Sequence, residues 1–152
     1  MVMTTARHIF VDTNILIRAT IDAAPLHREA RLLLDNLWEQ KARLVISHQV
    51  IREYVANTTR LQTYSPALPI RDVLNQVADF RKTFEVVPDA PEVLHRLLEL
   101  IRDVAIGGKQ VHDANIVATM LAYEIPELVT HNVSDFARFD AYIQITPLTS
   151  KA

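Results

Sequence analysis

The alternation of short apolar runs with longer amphipathic segments is the feature that most restricts the fold of this chain. The short runs resemble buried strands, and the longer segments carry apolar residues at the 3.6-residue spacing of a helix. Strands that are separated by helices usually form a parallel sheet with helices on both faces. We therefore predict a single α/β domain over residues 1–152, a three-layer α/β/α sandwich around a mainly parallel sheet of about four to five strands.

The individual elements follow from the apolar spacing and from the turn residues. Strands are predicted at residues 8–11, 44–46, 84–87, 127–130 and 142–145. Helices are predicted at residues 14–20, 25–40, 47–59, 69–82, 91–104, 111–123 and 133–139, with Ser47 as the N-cap of the third. Residues 62–69 contain two prolines and are predicted to form a loop. No apolar run approaches the ~18 residues of a membrane span, so no membrane partner is expected.

Two scarcities in the composition exclude several classes of enzyme. The chain has no cysteine, which excludes disulfides, cysteine nucleophiles and thiolate metal sites, and which fits a cytoplasmic location. It has only two glycines, Gly107 and Gly108, although average usage would give about eleven. P-loops, dinucleotide-binding loops and nucleophile elbows need glycines at separated positions. If this chain acts on phosphate groups, it must bind them with side chains or through a metal.

The overall charge does not by itself indicate a nucleic-acid partner. The formal net charge is −2 and the isoelectric point is near 6.3, whereas nucleic-acid-binding domains usually carry an excess of basic residues. Binding nevertheless requires only a local basic surface. The candidate phosphate contacts are Arg18, Arg52, Arg60, Arg71, Arg81, Lys82 and Lys109.

Acidic residues accumulate at one edge of the predicted sheet. Ligands bind to open α/β sheets outside the carboxyl ends of the strands. Asp12 follows the first predicted strand, Glu53 lies in the helix after the second, and Asp135 follows the fourth. Asp113 lies in the first turn of the helix before that fourth strand. Four carboxylates are therefore predicted to gather at this edge.

Each of these acids also has an ordinary structural explanation when it is considered alone. Asp12 and Asp135 are suitable helix caps, and Asp113 would favour the N-terminus of its helix. Glu53 could be a solvated side chain at the margin of the apolar stripe, or it could pair with Arg52 or Arg60. These explanations do not account for the convergence of all four acids on one predicted edge.

Carboxylates that lie close together repel one another unless a cation joins them. Mg²⁺ and Mn²⁺ prefer oxygen ligands and bind phosphate oxygens of substrates, which suits a cluster of this kind. Zinc is disfavoured, because none of the six histidines form a pair at helical ligand spacing. The predicted cofactor is therefore Mg²⁺ or Mn²⁺.

Three stretches of the sequence resemble the motifs of PIN-domain ribonucleases, especially toxins of the VapC type. They are Phe10 to Leu16 (FVDTNIL), His112 to Ala118 (HDANIVA) and Thr130 to Phe136 (THNVSDF), and Glu53 lies between the first two, in the helix after the second strand. The resemblance extends in the expected order over nearly the whole chain. It implies a PIN-like sandwich and a Mg²⁺- or Mn²⁺-dependent endoribonuclease, often dimeric and often inhibited by an antitoxin.

The same resemblance assigns roles to individual residues. Asp12, Glu53 and Asp113 match the three core acids of the family, and relatives place a fourth ligand at the position of Asn132 or of Asp135. Asn14 and Thr130 match polar residues that orient ligands or water. The hypothesis is hydrolysis of an RNA phosphodiester, with Asp12 and Asp113 holding the main ion and Glu53 binding a second ion or positioning the water.

Other functions remain possible at this point. One alternative is a PIN-like domain that binds RNA or regulates a partner without cleavage. The intact set of acids is the sequence feature that argues against this alternative. A receiver domain expects an acidic pair just before its first helix, and a haloacid-dehalogenase phosphatase expects an acid where Asn14 lies. Hydrolysis of RNA that depends on a divalent ion would separate the nuclease from the binding functions.

Overall fold

A computed structural model describes residues 6–149 of the chain. Residues 1–5 and 150–152, the outer limits of the predicted domain, lie outside the described residues. The described part contains one five-stranded sheet in the order β3-β2-β1-β4-β5, and all four strand pairs are parallel. The strands are β1 (His8–Val11), β2 (Arg43–Ser47), β3 (Glu85–Val87), β4 (Glu127–Thr130) and β5 (Gln144–Pro147). The predicted α/β class is confirmed.

Helices connect the strands in the predicted alternation. They are α1 (Thr13–Thr20), α2 (His27–Glu39), α3 (His48–Thr58), α4 (Ile70–Thr83), α5 (Pro91–Asp103), α6 (Gln110–Ala122) and the short α7 (Val133–Phe136), which continues as a 3-10 turn at Ala137–Phe139. Within residues 6–149, no helix has the length and apolar character that crossing a membrane requires.

The sheet is covered on both faces, as the run of apolar residues in β1 predicts. Ile9, Phe10 and Val11 follow one another along the strand and therefore point to alternate faces, yet all three have no exposed surface. A strand that is buried on both faces must have helices packed on each side of the sheet. The observed pairing, with β2 on one side and β4 on the other, places β1 at the centre.

The last strand lies two residues later than the apolar pattern predicts. Tyr142 belongs to a turn, where its amide donates to the carbonyl of Phe139 at 2.9 Å. The strand begins at Gln144 because that residue pairs with Glu127 at the start of β4. Pro147 ends the strand, which is tolerated because β5 is an edge strand.

The second helix also begins later than its proline suggests. Leu26 adopts a left-handed conformation with φ of 61°, so the chain turns after Pro25 and α2 begins at His27. The imidazole of His27 hydrogen-bonds the carbonyl of Arg18 at 2.6 Å, which ties the start of α2 to the end of α1. The prediction from Pro25 was therefore right about the helix, but its first residue is His27 and not Pro25.

An ion pair between the exposed Arg7 and the buried Glu127 lies at the end of the sheet opposite to the acidic residues. Arg7 donates to both carboxylate oxygens of Glu127, at 3.2 and 2.6 Å, and its third contact is Gln40 at the end of α2. Thr146 donates to the same carboxylate from β5. These contacts connect the amino-terminal end of β4 to Arg7, which precedes β1, and to Thr146 in β5.

Candidate active site

The carboxyl ends of β1 and β4 define the point at which the strand order changes direction. The chain leaves β1 toward β2 and β3 on one side of the sheet, whereas β4 and β5 lie on the other side. Crevices at such switch points are the usual ligand sites of open α/β sheets. Asp12 directly follows β1, and Thr130 is the last residue of β4. Both residues therefore lie at the predicted edge.

Asp12 is fixed by three hydrogen bonds. One carboxylate oxygen accepts from the amide of Thr13 at 2.8 Å, which caps α1. The other oxygen accepts from the hydroxyl of Thr130 at 2.8 Å and from the side-chain amide of Asn14 at 3.0 Å. Asp12 is thus a helix cap, but the bonds to its second oxygen also orient it toward β4. It is only 6% exposed.

Asn14 and Thr130 hold each other as well as Asp12. The side-chain amide of Asn14 donates to the hydroxyl of Thr130 at 3.2 Å, and its carbonyl accepts from the amide of His131 at 3.0 Å. The hydroxyl of Thr130 also accepts from the backbone amide of Asn132 at 3.0 Å. The loop after β4 is consequently bound to the start of α1, which is what holds the two strand ends together around the Asp12 carboxylate.

Glu53 reaches the same edge from α3. One of its carboxylate oxygens accepts from the hydroxyl of Thr13 at 2.8 Å, and the other accepts from the side-chain amide of Gln49 at 2.9 Å. The two arginines nearby in the sequence have other partners: Arg52 pairs with Asp89 at 2.9 Å, and Arg60, which follows α3, donates to Asn57. Glu53 is half-buried, and its hydrogen bonds come from neutral donors and not from an arginine.

Gln49 is a residue of this site that the sequence reasoning missed. It is 6% exposed, and its amide nitrogen donates to the carbonyl of His112 at 2.9 Å as well as to Glu53. Its carbonyl oxygen accepts from Asn115 at 2.6 Å. Gln49 therefore binds α3, which carries Glu53, to the part of α6 that carries Asp113. The spacing of four residues between Gln49 and Glu53 was the available signal, because it places both on one side of the helix.

Asp12 and Asp113 both hold their protons more tightly than an ordinary aspartate. The pKa of Asp12 is raised from 3.8 to about 6, mainly by burial; the hydrogen bonds from Thr130 and Thr13 oppose the rise, and the negative charges of Glu53 and Asp113 add to it. The pKa of Asp113 is also raised to about 6, mainly by burial and in addition by repulsion from Asp135 and Glu53. Each of the four predicted acids therefore lies within electrostatic reach of Asp113 or is Asp113 itself.

The fourth acid and its neighbour occupy the rim. Asp135 and Asn132 are exposed, and the amide of Asp135 donates to the carbonyl of Asn132 at 3.1 Å at the start of α7. The side chain of Asn132 makes no capping hydrogen bond to that helix. Both side chains are therefore exposed, and the charge of Asp135 reaches Asp113.

The chemistry of the four carboxylates fits a hard divalent ion, because all of their donor atoms are oxygens. None of the ion pairs among residues 6–149 includes Asp12, Glu53, Asp113 or Asp135. In the same part of the chain, no group of three His, Asp or Glu side chains is close enough to hold one metal. Mg²⁺ commonly retains several waters and binds through one or two carboxylates, so a smaller set of direct ligands suits it.

Only some of the predicted phosphate contacts lie near these acids. Partial burial lowers the pKa of His131, and the positive charge of Arg18 lowers it further, so Arg18 lies near this imidazole. Arg138, which the sequence reasoning did not consider, lies near enough to Asp113 to oppose the rise in its pKa. Arg71 pairs weakly with its neighbour Asp72 at 3.9 Å. Arg81 and Lys82 lie in the last turn of α4, and Lys109 precedes α6.

A cleft of about 340 Å³ adjoins the acids between α3, α5 and α6. Glu53 belongs both to the acid group and to the wall of this cleft. The lining residues are Gln49, Arg52, Glu53, Leu97, Val111, His112 and Asn115. The cleft therefore extends the candidate site away from Asp12 and along α6.

Several solved structures have the same fold as this chain. VapBC-1 from nontypeable Haemophilus influenzae has a TM-score of 0.68 at 18% identity, with 93% of this chain and 98% of that chain covered. DNA-bound VapBC from Salmonella typhimurium has a TM-score of 0.65 at 22% identity, covering 94% and 99%. The sarcin–ricin loop cleaving toxin VapC20 of Mycobacterium tuberculosis has a TM-score of 0.66 at 20% identity, covering 91% and 99%.

Sequence comparison adds a family assignment that these distant structures cannot supply. No curated protein matches the chain in sequence. The model of the PIN domain, however, matches residues 9–142, a range that begins in β1 and includes all four acids. This match covers most of the chain, and the protein therefore belongs to the PIN-domain family.

Proposed function

We propose that this protein is a divalent-metal-dependent endoribonuclease and the toxin of a toxin–antitoxin pair, acting in the cytoplasm. The observation that carries the proposal is the grouping of Asp12, Glu53, Asp113 and Asp135 at the switch point of the sheet. Burial and mutual repulsion raise the pKa of two of them to about 6. A cation that binds between such groups removes the repulsion, so this arrangement favours a metal site.

The proposed cofactor is Mg²⁺ or Mn²⁺, because every candidate donor is an oxygen. Asp12 and Asp113 would hold the main ion, and Asp135 or Asn132 would supply a further ligand. Glu53 would bind a second ion or orient the water. When bound, the ion neutralises charge on the phosphodiester and lowers the pKa of water, which is the chemistry that hydrolysis requires.

The hydrogen bonds of the chain define what each carboxylate contributes. Three donors hold Asp12 in one orientation, so it is suited to a fixed position beside the scissile phosphate. Glu53 accepts only two hydrogen bonds from side chains, one on each oxygen, and a carboxylate can accept about four. Its remaining lone pairs can orient a water molecule and accept its proton as the water attacks phosphorus.

RNA is the proposed substrate on two grounds. The PIN-domain family includes ribonucleases, and the similar toxin from Mycobacterium tuberculosis is named for cleavage of the sarcin–ricin loop. Cationic side chains also lie at the edge of the acid group, with Arg138 near Asp113 and Arg18 near His131. Phosphate contacts of this kind position a nucleic acid without reading its sequence.

The test is cleavage of total RNA by the purified protein with Mn²⁺, Mg²⁺ or EDTA. We expect cleavage only with a divalent ion, and we expect fragments with 5′-phosphate and 3′-hydroxyl ends. Asp12→Asn should remove the activity, since it removes a ligand charge at nearly constant volume. The matched control is Asp140→Asn, a change at an exposed aspartate outside the acid group.

The alternative is a PIN-like domain that binds RNA or regulates a partner without cleavage. Binding of RNA by the wild-type protein, together with no divalent-dependent cleavage, would favour this alternative and refute the nuclease. Cleavage that persists unchanged in Asp12→Asn would refute the assignment of the acids even if the protein is a nuclease.

We also propose an antitoxin partner and a homodimer. One solved structure of the same fold is a toxin–antitoxin complex from Klebsiella pneumoniae, with a TM-score of 0.66 at 20% identity. Large apolar side chains are exposed on two helices, Ile70 and Leu74 on α4 and Leu94 and Leu98 on α5, each more than half exposed. Sedimentation of the purified chain should give about twice its mass of 17.3 kDa, and a monomer at micromolar concentration would contradict the dimer.

A further inference from the structure

We propose that the cleft between α3, α5 and α6 binds one unpaired nucleobase of the RNA, next to the phosphodiester at the acid group. This inference rests on the proposed nuclease function and specifies how its substrate is held. It begins from the position of the cleft. Glu53 lines it and also accepts a hydrogen bond from Thr13, which adjoins Asp12, so a nucleotide in the cleft is adjacent to the acids.

The lining of the cleft combines the surfaces that a nucleobase requires. Leu97 and Val111 are apolar and lie on α5 and α6, and such side chains can pack against the flat face of a base. Gln49 and Asn115 supply amides at the junction of α3 and α6. Pockets that combine apolar surface with a few fixed polar groups are typical of small-ligand sites.

The amide pair is held in one orientation and leaves one member available. Gln49 is almost fully buried, and both its nitrogen and its oxygen are engaged, with Glu53, the His112 carbonyl and Asn115 as partners. Asn115 is half-buried, and in the described residues its side-chain oxygen Oδ1 accepts no hydrogen bond. Asn115 is therefore the group in the cleft that is free to read the edge of a base.

The rim of the cleft suits the sugar–phosphate backbone. Arg52 and His112 line it and are both exposed, and one arm of the Arg52 guanidinium is occupied by Asp89. The side chain of Arg52 is 61% exposed, so a phosphate at the rim can reach its guanidinium from solvent. A cation at the rim of a partly apolar cleft favours a ligand with a flat apolar part and an anionic part, which describes a nucleotide.

The volume is sufficient for a single base. A cleft of about 340 Å³ lies near the lower end of the range of small-ligand pockets, roughly 300–1,000 Å³. A base that is stacked and paired inside a duplex cannot enter such a cleft without leaving its partner. The nucleotide at the cleavage site should consequently be unpaired, in a single strand or a loop, where proteins read RNA most readily.

The first experiment measures cleavage of a single-stranded RNA with a randomised segment. The test variant is Val111→Phe, which places a ring in the cleft from a half-buried position, and the matched control is Val77→Phe at a half-buried position of α4. Because the added ring fills the space that a base would occupy, we expect the KM of Val111→Phe to rise about tenfold. Its base preference beside the cut should flatten, whereas the control should keep the wild-type preference and KM.

A second pair of variants covers the case in which Val111→Phe fails to fold. His112→Ala changes an exposed side chain on the rim, and His95→Ala on α5 is its exposed control. We expect His112→Ala to raise KM with little change in kcat. Unchanged base preference and KM in both test variants, while the wild-type protein cuts RNA, would overturn the cleft proposal and leave the nuclease intact.

A measurement without metal or cleavage separates the two proposals. Adenosine and uridine 5′-monophosphates are titrated in EDTA while the backbone amide signals are followed by NMR. Saturable shifts at Val111 and Asn115, absent in the folded Val111→Phe variant, are expected. Such shifts in a protein that cuts no RNA would uphold the cleft and refute the nuclease, and no shifts with either nucleotide would overturn the cleft.

Discussion

Substitution of Asp12 by asparagine should stabilise the fold at neutral pH while it removes the activity. Asp12 is buried, and its pKa rises from 3.8 to about 6 on folding. The native state therefore binds a proton more tightly than the unfolded state does, and above pH 6 the folded protein must keep an unfavourable buried charge. A difference of this size corresponds to about 3 kcal/mol of lost stability at pH 7.5.

The asparagine variant recovers most of this free energy but not all of it. Its side chain has one acceptor oxygen, whereas Asp12 accepts from Thr13, Asn14 and Thr130. The mismatch should cost about 1 kcal/mol, the usual net value of one hydrogen bond. We expect Asp12→Asn to be about 2 kcal/mol more stable than the wild-type protein at pH 7.5 in EDTA.

The sign of the pH dependence provides the sharper check. Between the unfolded pKa of 3.8 and the folded pKa of about 6, the wild-type protein loses stability as the pH rises. The advantage of Asp12→Asn should therefore fall by about 1 kcal/mol when the pH is lowered from 7.5 to 5.

Urea denaturation followed by the fluorescence of Trp38, the single tryptophan, measures these differences. Trp38 packs on Phe84 with 5.4 Å between ring centroids, so unfolding changes its surroundings. Asp140→Asn serves as the control and should change stability by less than about 0.5 kcal/mol at either pH. An Asp12→Asn variant that is less stable than the wild-type protein at pH 7.5, or whose advantage is the same at pH 5, would refute the assignment of a repelled, buried charge.

Three further predictions follow from other contacts. Gln49→Met should lower kcat about 10- to 100-fold in an RNA cleavage assay, because it releases Glu53 from α6 at similar volume; kinetics equal to wild type would show that Gln49 does not position Glu53. Mn²⁺ should raise the melting temperature of the wild-type protein in calorimetry, but much less so that of Asp113→Asn, and equal rises would exclude Asp113 as a ligand. Arg7→Ala should lower the free energy of unfolding in urea by about 2 kcal/mol, because it leaves the buried carboxylate of Glu127 without its cation. It should leave kcat unchanged, because Glu127 lies far from the acids. A fall in kcat in the folded variant would contradict this separation.

Much of the fold could be predicted because it depends on local patterns. The three consecutive buried residues after His8 indicate a strand covered on both faces, and Ser47 caps α3 through a hydrogen bond to the amide of Val50. The errors concern element ends. The start of β5 depends on its pairing with Glu127, and the start of α2 depends on the left-handed Leu26, neither of which apolar spacing reveals.

The candidate site was predictable in its charged members and not in its neutral ones. Asp12 and Asp113 stand out because acids rarely interrupt apolar runs unless they serve a purpose. Gln49 and Asn115 do not stand out, since a glutamine and an asparagine on helices are ordinary surface residues until their partners are known. Their importance depends on a hydrogen bond between α3 and α6 that spans 66 positions of the chain.

The amino-acid order alone specifies the alternating strands and helices and the acids that follow them, because hydrophobic periodicity and capping act over a few residues. It does not specify which acids meet. The strand order β3-β2-β1-β4-β5 brings the end of β1 beside the end of β4, and Gln49 sets α3 against α6. The repulsion among the carboxylates, and with it the proposed affinity for a divalent ion, arises from these long-range contacts, since electrostatic energy depends on distance in space and on burial.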